Sequence, residues 1–281
     1  MGDFPVVWRF CVSFLGKIFA LSGLAIDADG AGRDMLSSIQ RFWRVLGTGL
    51  GFLPVGIGGV LIFPVLNLMV REPKRRRTIA RDLVQLTFRC IVRSMCALGV
   101  FQYETKGLER LERRGQLILA NHPTLIDIVF LLAFVQQADC IVKARLWRNL
   151  FTRATVRAAG YIANNEDSVQ VLEDCIASIR DGGNLIVFPE GTRTPADGGI
   201  TLKRGAANIA VRTPCNITPV RIRCTPPMLI KGEKWWRLPA YRSHFHFDVM
   251  EDIDIQPFLA NSFGKALAAR QLTGYLHKFF S

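Results

Sequence analysis

A histidine and an aspartate five residues apart are the residues best placed to do chemistry in this sequence. The segment LILANHPTLID spans residues 117–127, and its apolar half predicts a buried strand that ends at Asn121. Reactive groups of open α/β sheets gather beyond the carboxyl ends of the strands, where His122 falls. Pro123 disfavours helical geometry at His122 and suits a first helical position, so we expect a helix that begins just after the histidine. Asp127 then lies in its second turn, within reach of the imidazole.

Such a pair predicts general-base catalysis. A carboxylate on one imidazole nitrogen fixes the tautomer and stabilises the imidazolium, which leaves the other nitrogen to remove a proton from a hydroxyl. Taken alone, however, the spacing of His122 and Asp127 arises often by chance. A helix-capping histidine beside an unrelated surface carboxylate explains it as well.

A second polar turn follows another apolar run, NLIVFPEGTRT at residues 184–194. Gly191 permits a close approach of the backbone to a ligand, and Arg193 suits a phosphate or carboxylate. Glu190 suits hydroxyl groups or the ordering of that arginine. The alternative is a polar surface turn with an Arg to Glu pair.

Together these residues resemble the glycerolipid acyltransferases, that is, the lysophosphatidate acyltransferases and relatives that share an H-x-x-x-x-D block. The resemblance covers roughly residues 80–230, and the order and separation of the blocks agree with it. The matching positions are Asn121, His122 and Asp127 in the first block, Phe188 to Arg193 in the third, and residues 202–206 and 217–220 in later blocks.

The resemblance implies transfer of a fatty acyl group from a coenzyme A or acyl carrier protein thioester to a lipid hydroxyl, with no metal and no further cofactor. It implies that His122 is the base and that Asp127 orients it. Glu190 and Arg193 form the implied acceptor-binding pair. The substrate-binding residues expected on this basis are Asn121, Lys143, Glu190, Gly191, Thr192, Arg193 and Lys203.

The second family block departs from this pattern. Lysophosphatidate enzymes commonly place a basic residue after the strand that this chain writes as Gly160-Tyr161-Ile162, whereas Ala163, Asn164 and Asn165 follow here. Asparagine suits a neutral acceptor that carries hydroxyl or amide groups better than it suits a phosphate. We therefore expect another lysolipid or a hydroxyacyl lipid as the acceptor, with lysophosphatidate as the default.

Composition indicates a membrane partner. The 281-residue chain is 49% hydrophobic and carries a formal charge of +13, which fits an anionic membrane surface. Nucleic acid is disfavoured because zinc-finger spacing, an RRM-like aromatic signature and a basic heptad helix are all missing from the sequence. The seven scattered cysteines include no C-x-x-C pair and predict reduced thiols. Without a convincing cleavable signal peptide, we expect the catalytic part to face the cytoplasm at the cytoplasmic membrane.

The strongest membrane signal is the uncharged stretch from Val45 to Val70, which is long enough to cross a bilayer. Its glycines and prolines are expected to interrupt a straight helix, so a spanning helix and a re-entrant hairpin remain equal alternatives. A buried helix of a soluble core is a third. Residues 4–26 predict an interfacial helix.

From about Gly107 short apolar runs alternate with amphipathic stretches, which predicts an α/β fold with a mixed sheet flanked by helices, preceded by a membrane-embedded helical segment. The expected division is a membrane anchor at residues 1–78 and a catalytic domain at residues 79–281. Predicted strands are 117–120, 140–142, 185–188, 217–222 and 245–250; predicted helices are 125–135, 147–158, 167–180, 205–212 and 262–280.

Other interpretations stay open at this stage. A phospholipid-dependent transacylase or a lipid hydrolase is the nearest enzymatic rival, although a hydrolase would usually show a G-x-S-x-G elbow, which this sequence lacks. A catalytically inactive membrane scaffold of the same fold is the rival from another class. His244 and His246 share one strand face, but no carboxylate cluster completes a metal site in the sequence. The cationic stretch of Lys143, Arg145, Arg148, Arg153 and Arg157 suits coenzyme A phosphates, an acidic carrier protein or anionic headgroups.

Overall fold

The computed structural model describes residues 30–281 with the exception of 165–166, 196–198, 214 and 240, and it describes only the backbone of residues 30–38 and 41. The interfacial helix predicted over residues 4–26 therefore lies outside the described residues. Asn165 lies outside them as well.

The described chain forms a seven-stranded mixed sheet in the order β1-β7-β6-β2-β5-β3-β4. The run from β6 to β4 is parallel, whereas β7 is antiparallel to β6 and pairs in parallel with β1. The strands are β1 (Phe101–Lys106), β2 (Leu117–Ala120), β3 (Ala138–Lys143), β4 (Ile162–Asn164), β5 (Asn184–Val187), β6 (Ile217–Thr225) and β7 (Ser243–Val249).

Helices cover both faces of this sheet. Because successive side chains of a strand point to opposite faces, Leu117 and Leu119 of β2 join one hydrophobic core while Ile118 and Ala120 join the other. The helices are α1 (Gly30–Ile57), continued by a π-helical turn (Gly58–Ile62) and α2 (Phe63–Met69), then α3 (Pro73–Ala97), α4 (Asp127–Phe134), α5 (Ala144–Arg148), α6 (Arg153–Ala159), α7 (Ser168–Arg180), α8 (Gly205–Ala210), α9 (Gln256–Ala260) and α10 (Lys265–Phe280); a 3₁₀ helix spans Leu108–Glu112.

The predicted fold class is confirmed, with local differences. Strand β1 was not predicted, because FQYETK carries only two large apolar residues at the edge of the sheet. The helix predicted over residues 147–158 is broken between α5 and α6. There Asn149 Oδ1 accepts from Phe151 N–H, and Thr152 Oγ1 donates to the carbonyl of Leu146. Side-chain bonds of this kind compete with helical hydrogen bonds.

The apolar N-terminal segment does not reverse direction within residues 45–70, so the hairpin interpretation is wrong. Helical structure continues from Gly30 to Met69, and the reversal comes after it, before α3 begins at Pro73. The glycines do not interrupt the helix; several permit close packing. A Cβ on Gly51 would lie 2.3 Å from Met95, and one on Gly59 would lie 1.6 Å from the Phe151 carbonyl oxygen.

The opposite side of this helix is an exposed apolar stripe. Its residues recur three or four positions apart and are Phe42, Leu46, Leu50, Leu53, Ile57, Leu61, Val65 and Leu68. In length and composition Phe42–Met69 suffices to cross a membrane, and it is the one such helix in the described part of the chain. This apolar helix therefore packs on the domain along one side, and the described residues leave its other side uncovered.

A buried ion pair joins α3 to the sheet. Arg81 and Asp139, with side chains 6% and 2% exposed, approach to 2.6 Å. Arg81 also donates to the carbonyls of Ala159 and Gln137, and Ser178 donates to the aspartate. The pair thus fixes α3 against the amino end of β3.

Replacing Arg81 with methionine is expected to lower the free energy of unfolding by roughly 3 to 5 kcal/mol, because Asp139 would keep a buried charge without its partner. Chemical unfolding in detergent measures the change. Arg93→Met removes an exposed arginine from the same helix and should cost less than about 0.5 kcal/mol. Equal losses in the two variants would contradict the role of the pair.

Candidate active site

Two adjacent strands deliver their polar turns to the same edge of the sheet. Strands β2 and β5 pair in parallel, with Leu119 opposite Val187. His122 follows the end of β2, and the turn beginning at Phe188 follows the end of β5. The two sequence blocks are thereby brought together, as the strand assignments predicted.

The imidazole of His122 contacts the carboxylate of Asp127 directly, with Nδ1 and Oδ2 2.9 Å apart. Helix α4 begins at Asp127 and not directly after the histidine, so the predicted helix start was wrong. The intervening turn is held by Thr124, whose backbone N–H donates to Oδ2 and whose hydroxyl donates to Oδ1. This bonding folds the chain around the carboxylate and explains the five-residue spacing.

Asp127 is completely buried, with 0% exposure. Burial raises the pKa of the Asp127 carboxyl above its usual range, and the hydrogen bonds from His122 and Thr124 offset part of that rise. A carboxylate kept out of water in this way interacts strongly with the one imidazole it touches. It is placed to orient the ring and to stabilise its charged form.

The backbone of His122 is fixed by the second turn. Its N–H donates to Oε1 of Glu190 at 2.9 Å, and its carbonyl accepts from the N–H of Thr194 at 2.8 Å. The Thr194 hydroxyl donates to the same Glu190 oxygen. Glu190 is buried, and its Oε2 has no hydrogen-bond partner among the described residues. The first function of Glu190 in this geometry is to position the histidine.

The face of the imidazole is covered by an aromatic ring. Phe188 stacks on His122 with ring centroids 4.0 Å apart and an interplanar angle of 16°. The His122 side chain is 15% exposed, and within the described part of the chain its Nε2 has no partner. The ring is therefore held at one nitrogen and on one face, and its other nitrogen has no partner among the described residues.

Arg193 is bound to a neighbouring loop and does not contact Glu190 in an ion pair. One of its guanidinium nitrogens donates to the carbonyls of Leu229 and Ile230. The Leu229 carbonyl also accepts from the N–H of Leu125, inside the turn between His122 and Asp127. Arg193 thus connects the two turns through the loop, and its acceptor-binding role stays a prediction.

The remaining predicted binding residues surround this edge at different distances. Asn121 uses its amide oxygen and nitrogen on the backbone N–H and carbonyl of Ile222, which ties β2 to β6. Gly191 has φ +67°, and a Cβ there would lie 3.1 Å from Nζ of Lys203. Thr192 is half-buried in the same turn. Lys143 ends β3, two strands from β2 and hence roughly 10 Å away.

Two hydroxyl residues were missed. Thr124 carries a signal, because Thr-x-x-Asp before an apolar helix is a capping pattern in which the acidic side chain returns to the threonine N–H. Thr194 directly follows the third block, but nothing in its spacing indicates a bond to the backbone of His122, about seventy residues earlier. Both residues act on the base or its carboxylate without adding a reactive group.

His244 and His246 of β7 have a carboxylate neighbour in the structure, and the expected absence of a metal there stays a prediction. Glu104 of β1 lies opposite His246 of β7 and, with His244, completes a cluster whose ligand atoms lie within 4.8 Å of one another. The sequence did not reveal the carboxylate because β1 was not recognised as a strand. The cluster lies on the outer strands β1 and β7, away from the turns that hold His122.

The part of the chain that holds this site is similar to known acyltransferases. Residues 102–223 match the family model described as Acyltransferase. A 1-acyl-sn-glycerol-3-phosphate acyltransferase of Borreliella burgdorferi is 28% identical over 51% of this chain and 59% of its own length. A putative 1-acyl-sn-glycerol-3-phosphate acyltransferase of Caenorhabditis elegans, acl-2, is 32% identical over 41% of this chain and 43% of its own. The chain thus spans about half the length of these curated relatives.

The fold also matches a solved structure, the 1-acyl-sn-glycerophosphate acyltransferase PlsC of Thermotoga maritima. The TM-score is 0.65 and the match covers 86% of this chain and 96% of that one, at 20% sequence identity. At this identity the likeness concerns the fold. Residues 102–223 are thus similar to the acyltransferase family, and the blocks around His122 and Glu190 lie within this matched range.

Proposed function

We propose that the protein is a membrane-associated O-acyltransferase that moves a fatty acyl group from a coenzyme A or acyl carrier protein thioester to the hydroxyl of a lysolipid or related lipid. The observation that carries this proposal is the state of His122. Its Nδ1 is held by a buried carboxylate and its backbone by Glu190 and Thr194, while Nε2 has no partner among the described residues.

In the proposed reaction, Nε2 of His122 takes the proton of the acceptor hydroxyl as its oxygen attacks the thioester carbonyl. Asp127 stabilises the imidazolium that forms. Collapse of the tetrahedral intermediate breaks the carbon–sulfur bond, and the imidazolium returns its proton to the departing thiolate. The products are the ester and the free thiol, and the histidine ends the cycle neutral. Glu190 acts in this scheme by holding the His122 backbone, and its acceptor-binding role stays a prediction because its unpartnered Oε2 is buried.

Membrane association is supported by the exposed apolar stripe of the N-terminal helix and by the basic residues that follow it. Arg71, Lys74, Arg75 and Arg77 are all exposed next to Met69. Cations beside an apolar surface favour the anionic cytoplasmic leaflet. We therefore place the catalytic domain at the cytoplasmic face of the cytoplasmic membrane.

The acceptor is the finer part of the proposal. The end of β4 carries the half-buried Ala163 and the exposed Asn164, so this position offers no cation to a phosphate monoester. The names of the relatives give lysophosphatidate as their acceptor. A lysolipid or hydroxyacyl lipid with a neutral, hydroxyl-rich headgroup fits the side chains of this chain better.

A panel of acceptors with one acyl-CoA tests this choice. We expect kcat/KM for a neutral lysolipid or hydroxyacyl lipid to equal or exceed that for lysophosphatidate. In the Asn164→Arg variant the preference should shift toward lysophosphatidate by roughly tenfold, the scale of one charge-assisted contact. A strong preference of the unmodified protein for lysophosphatidate would defeat the acceptor proposal and leave acyl transfer itself intact.

A further inference from the structure

A second basic site lies apart from the catalytic turns, between the end of the apolar helix and α6. It is a cavity of about 500 Å³ lined by Pro64, Asn67, Arg76, Arg153, Ala154 and Arg157, and it is called the arginine pocket below. Asn67 closes one wall by donating to the carbonyl of Ala154. The cationic stretch of the sequence is therefore divided, since Arg153 and Arg157 join Arg76 in this pocket.

The charge of the arginine pocket is uncompensated. Three guanidinium groups line it without a carboxylate, and no ion pair involves Arg76, Arg153 or Arg157 within the described ranges. Nε of Arg76 is buried without a hydrogen-bond partner there. Like charges gathered in one cavity repel each other unless an anion joins them, and the planar fork of arginine matches phosphate oxygens. The pocket therefore suits a phosphate group.

Its surroundings suit an amphiphile. Pro64 and Asn67 belong to α2, whose outward residues Val65 and Leu68 continue the exposed apolar stripe from Leu61 of the preceding π-helical turn. Leu68 is 80% exposed. A headgroup in the pocket would thus have an apolar surface beside it for its acyl chains. A free phosphate would leave that surface uncovered.

The arginine pocket is distinct from the acyl transfer site. Arg76 precedes Arg81 by about one helical turn, and Arg81 binds Asp139 at the amino end of β3. His122 lies at the carboxyl end of the neighbouring parallel strands. None of the residues that line the pocket belongs to the catalytic turns, and they come instead from α2, α3 and α6.

We infer that the arginine pocket binds the phosphodiester headgroup of an anionic membrane phospholipid, whose acyl chains lie along the exposed stripe of the apolar helix. This inference rests on the proposed membrane association and is independent of the acceptor chosen for acyl transfer. The bound lipid would be a docking ligand that is not consumed, and it would fix the orientation of the catalytic domain on the bilayer.

Vesicle co-sedimentation of the full-length protein tests the inference. Vesicles of phosphatidylcholine alone are compared with vesicles that also contain phosphatidylglycerol. The unmodified protein is compared with the double variant Arg153→Gln with Arg157→Gln. We expect the double variant to bind the anionic vesicles about 25-fold more weakly, or about fivefold for each arginine, with little change on neutral vesicles.

The matched control removes two exposed arginines from the other helical layer, Arg212→Gln with Arg270→Gln. Its charge is the same as that of the pocket variant, yet its affinity for anionic vesicles should fall by less than about threefold, because those side chains lie away from the apolar stripe and are screened by salt. Equal losses in the two double variants would overturn the inference and leave only a general attraction of charge. If a double variant fails to fold, the single Arg157→Gln and Arg270→Gln variants make the same comparison.

Two further arms separate the source of the phosphate from the proposed enzymatic function. Inorganic phosphate and free coenzyme A are added as competitors; displacement of the protein from anionic vesicles by either one at constant ionic strength would overturn the assignment to a lipid. Acyl transfer is measured in parallel on detergent-dispersed substrates. Absence of acyl transfer by the unmodified protein would refute the proposed function. The difference in vesicle binding between the two double variants tests the pocket alone.

Discussion

The His122→Ala protein is expected to transfer acyl groups at less than about one-thousandth of the unmodified rate, since general-base catalysis contributes roughly 10²- to 10⁴-fold. The substitution removes Nε2, the atom that takes the hydroxyl proton, and leaves Asp127 with only Thr124 as a partner. The expected loss falls on kcat, because acyl-donor binding does not require the imidazole in the proposed mechanism. Steady-state kinetics with acyl-CoA and a saturating lysolipid measures it.

His277→Ala is the matched control for this prediction. His277 is an exposed histidine in α10 whose side chain hydrogen-bonds only to Ser281 among the described residues, so its loss should leave the rate within about twofold. Both alanine variants should bind vesicles as the unmodified protein does. A His122→Ala protein that transfers acyl groups at the full rate would sink the mechanism. Missing transfer by the unmodified protein would instead favour the inactive-scaffold interpretation.

The contact between His122 and Asp127 was predictable because its geometry is mostly local. A short buried strand, a proline and a carboxylate lie within eleven residues, and the second block repeats the same strand-to-turn pattern. Parallel pairing of β2 and β5 then requires the two turns to meet at one edge of the sheet. Only the exact helix start was wrong, because the Thr124 to Asp127 hydrogen bonds hold a turn where proline alone suggested a helix.

The function of Glu190 was not predictable in the same way. Its sequence position allowed a contact with the acceptor or with Arg193, and the structure instead directs Oε1 to the His122 backbone. The contact between Glu190 and His122 joins residues that are 68 apart along the chain. It therefore depends on the spacing of the two strands that precede them. The packing of the apolar helix was likewise not predictable from the sequence. Its glycines read as breaks in the sequence, whereas close contacts with Met95 and Phe151 place some of them on the packed side.

The Asp127→Asn protein is expected to lose roughly 10³-fold in acyl transfer while folding at least as stably as the unmodified protein at neutral pH. The amide oxygen of asparagine can replace Oδ2 and accept from Thr124 N–H and from Nδ1–H of His122, and its NH₂ group can donate to the Thr124 hydroxyl. The geometry and the tautomer are then kept. What disappears is the negative charge that stabilises the imidazolium, so the rate falls without a change in the fold.

The stability part of this prediction follows from the direction of the Asp127 shift. Burial raises the pKa of this carboxyl in the folded state above its unfolded value of about 3.9, so the protonated form favours folding and the ionised form opposes it. That favourable contribution is full below about pH 4 and is lost as the pH rises through the folded pKa. Asparagine never ionises, so its advantage in thermal midpoint over aspartate should be small in acid and grow toward neutral pH.

Thermal unfolding of both proteins across this pH range, together with kcat at neutral pH, makes the comparison. Asp174→Asn is the control, because Asp174 is exposed on α7 and, within the described ranges, its side chain hydrogen-bonds only to Gln170. A stability difference for Asp127→Asn that shrinks as the pH rises would contradict the buried, ionised carboxylate. A full rate of transfer would contradict its action on His122. The two readouts together separate a carboxylate that holds the base in place from one whose charge takes part in the reaction.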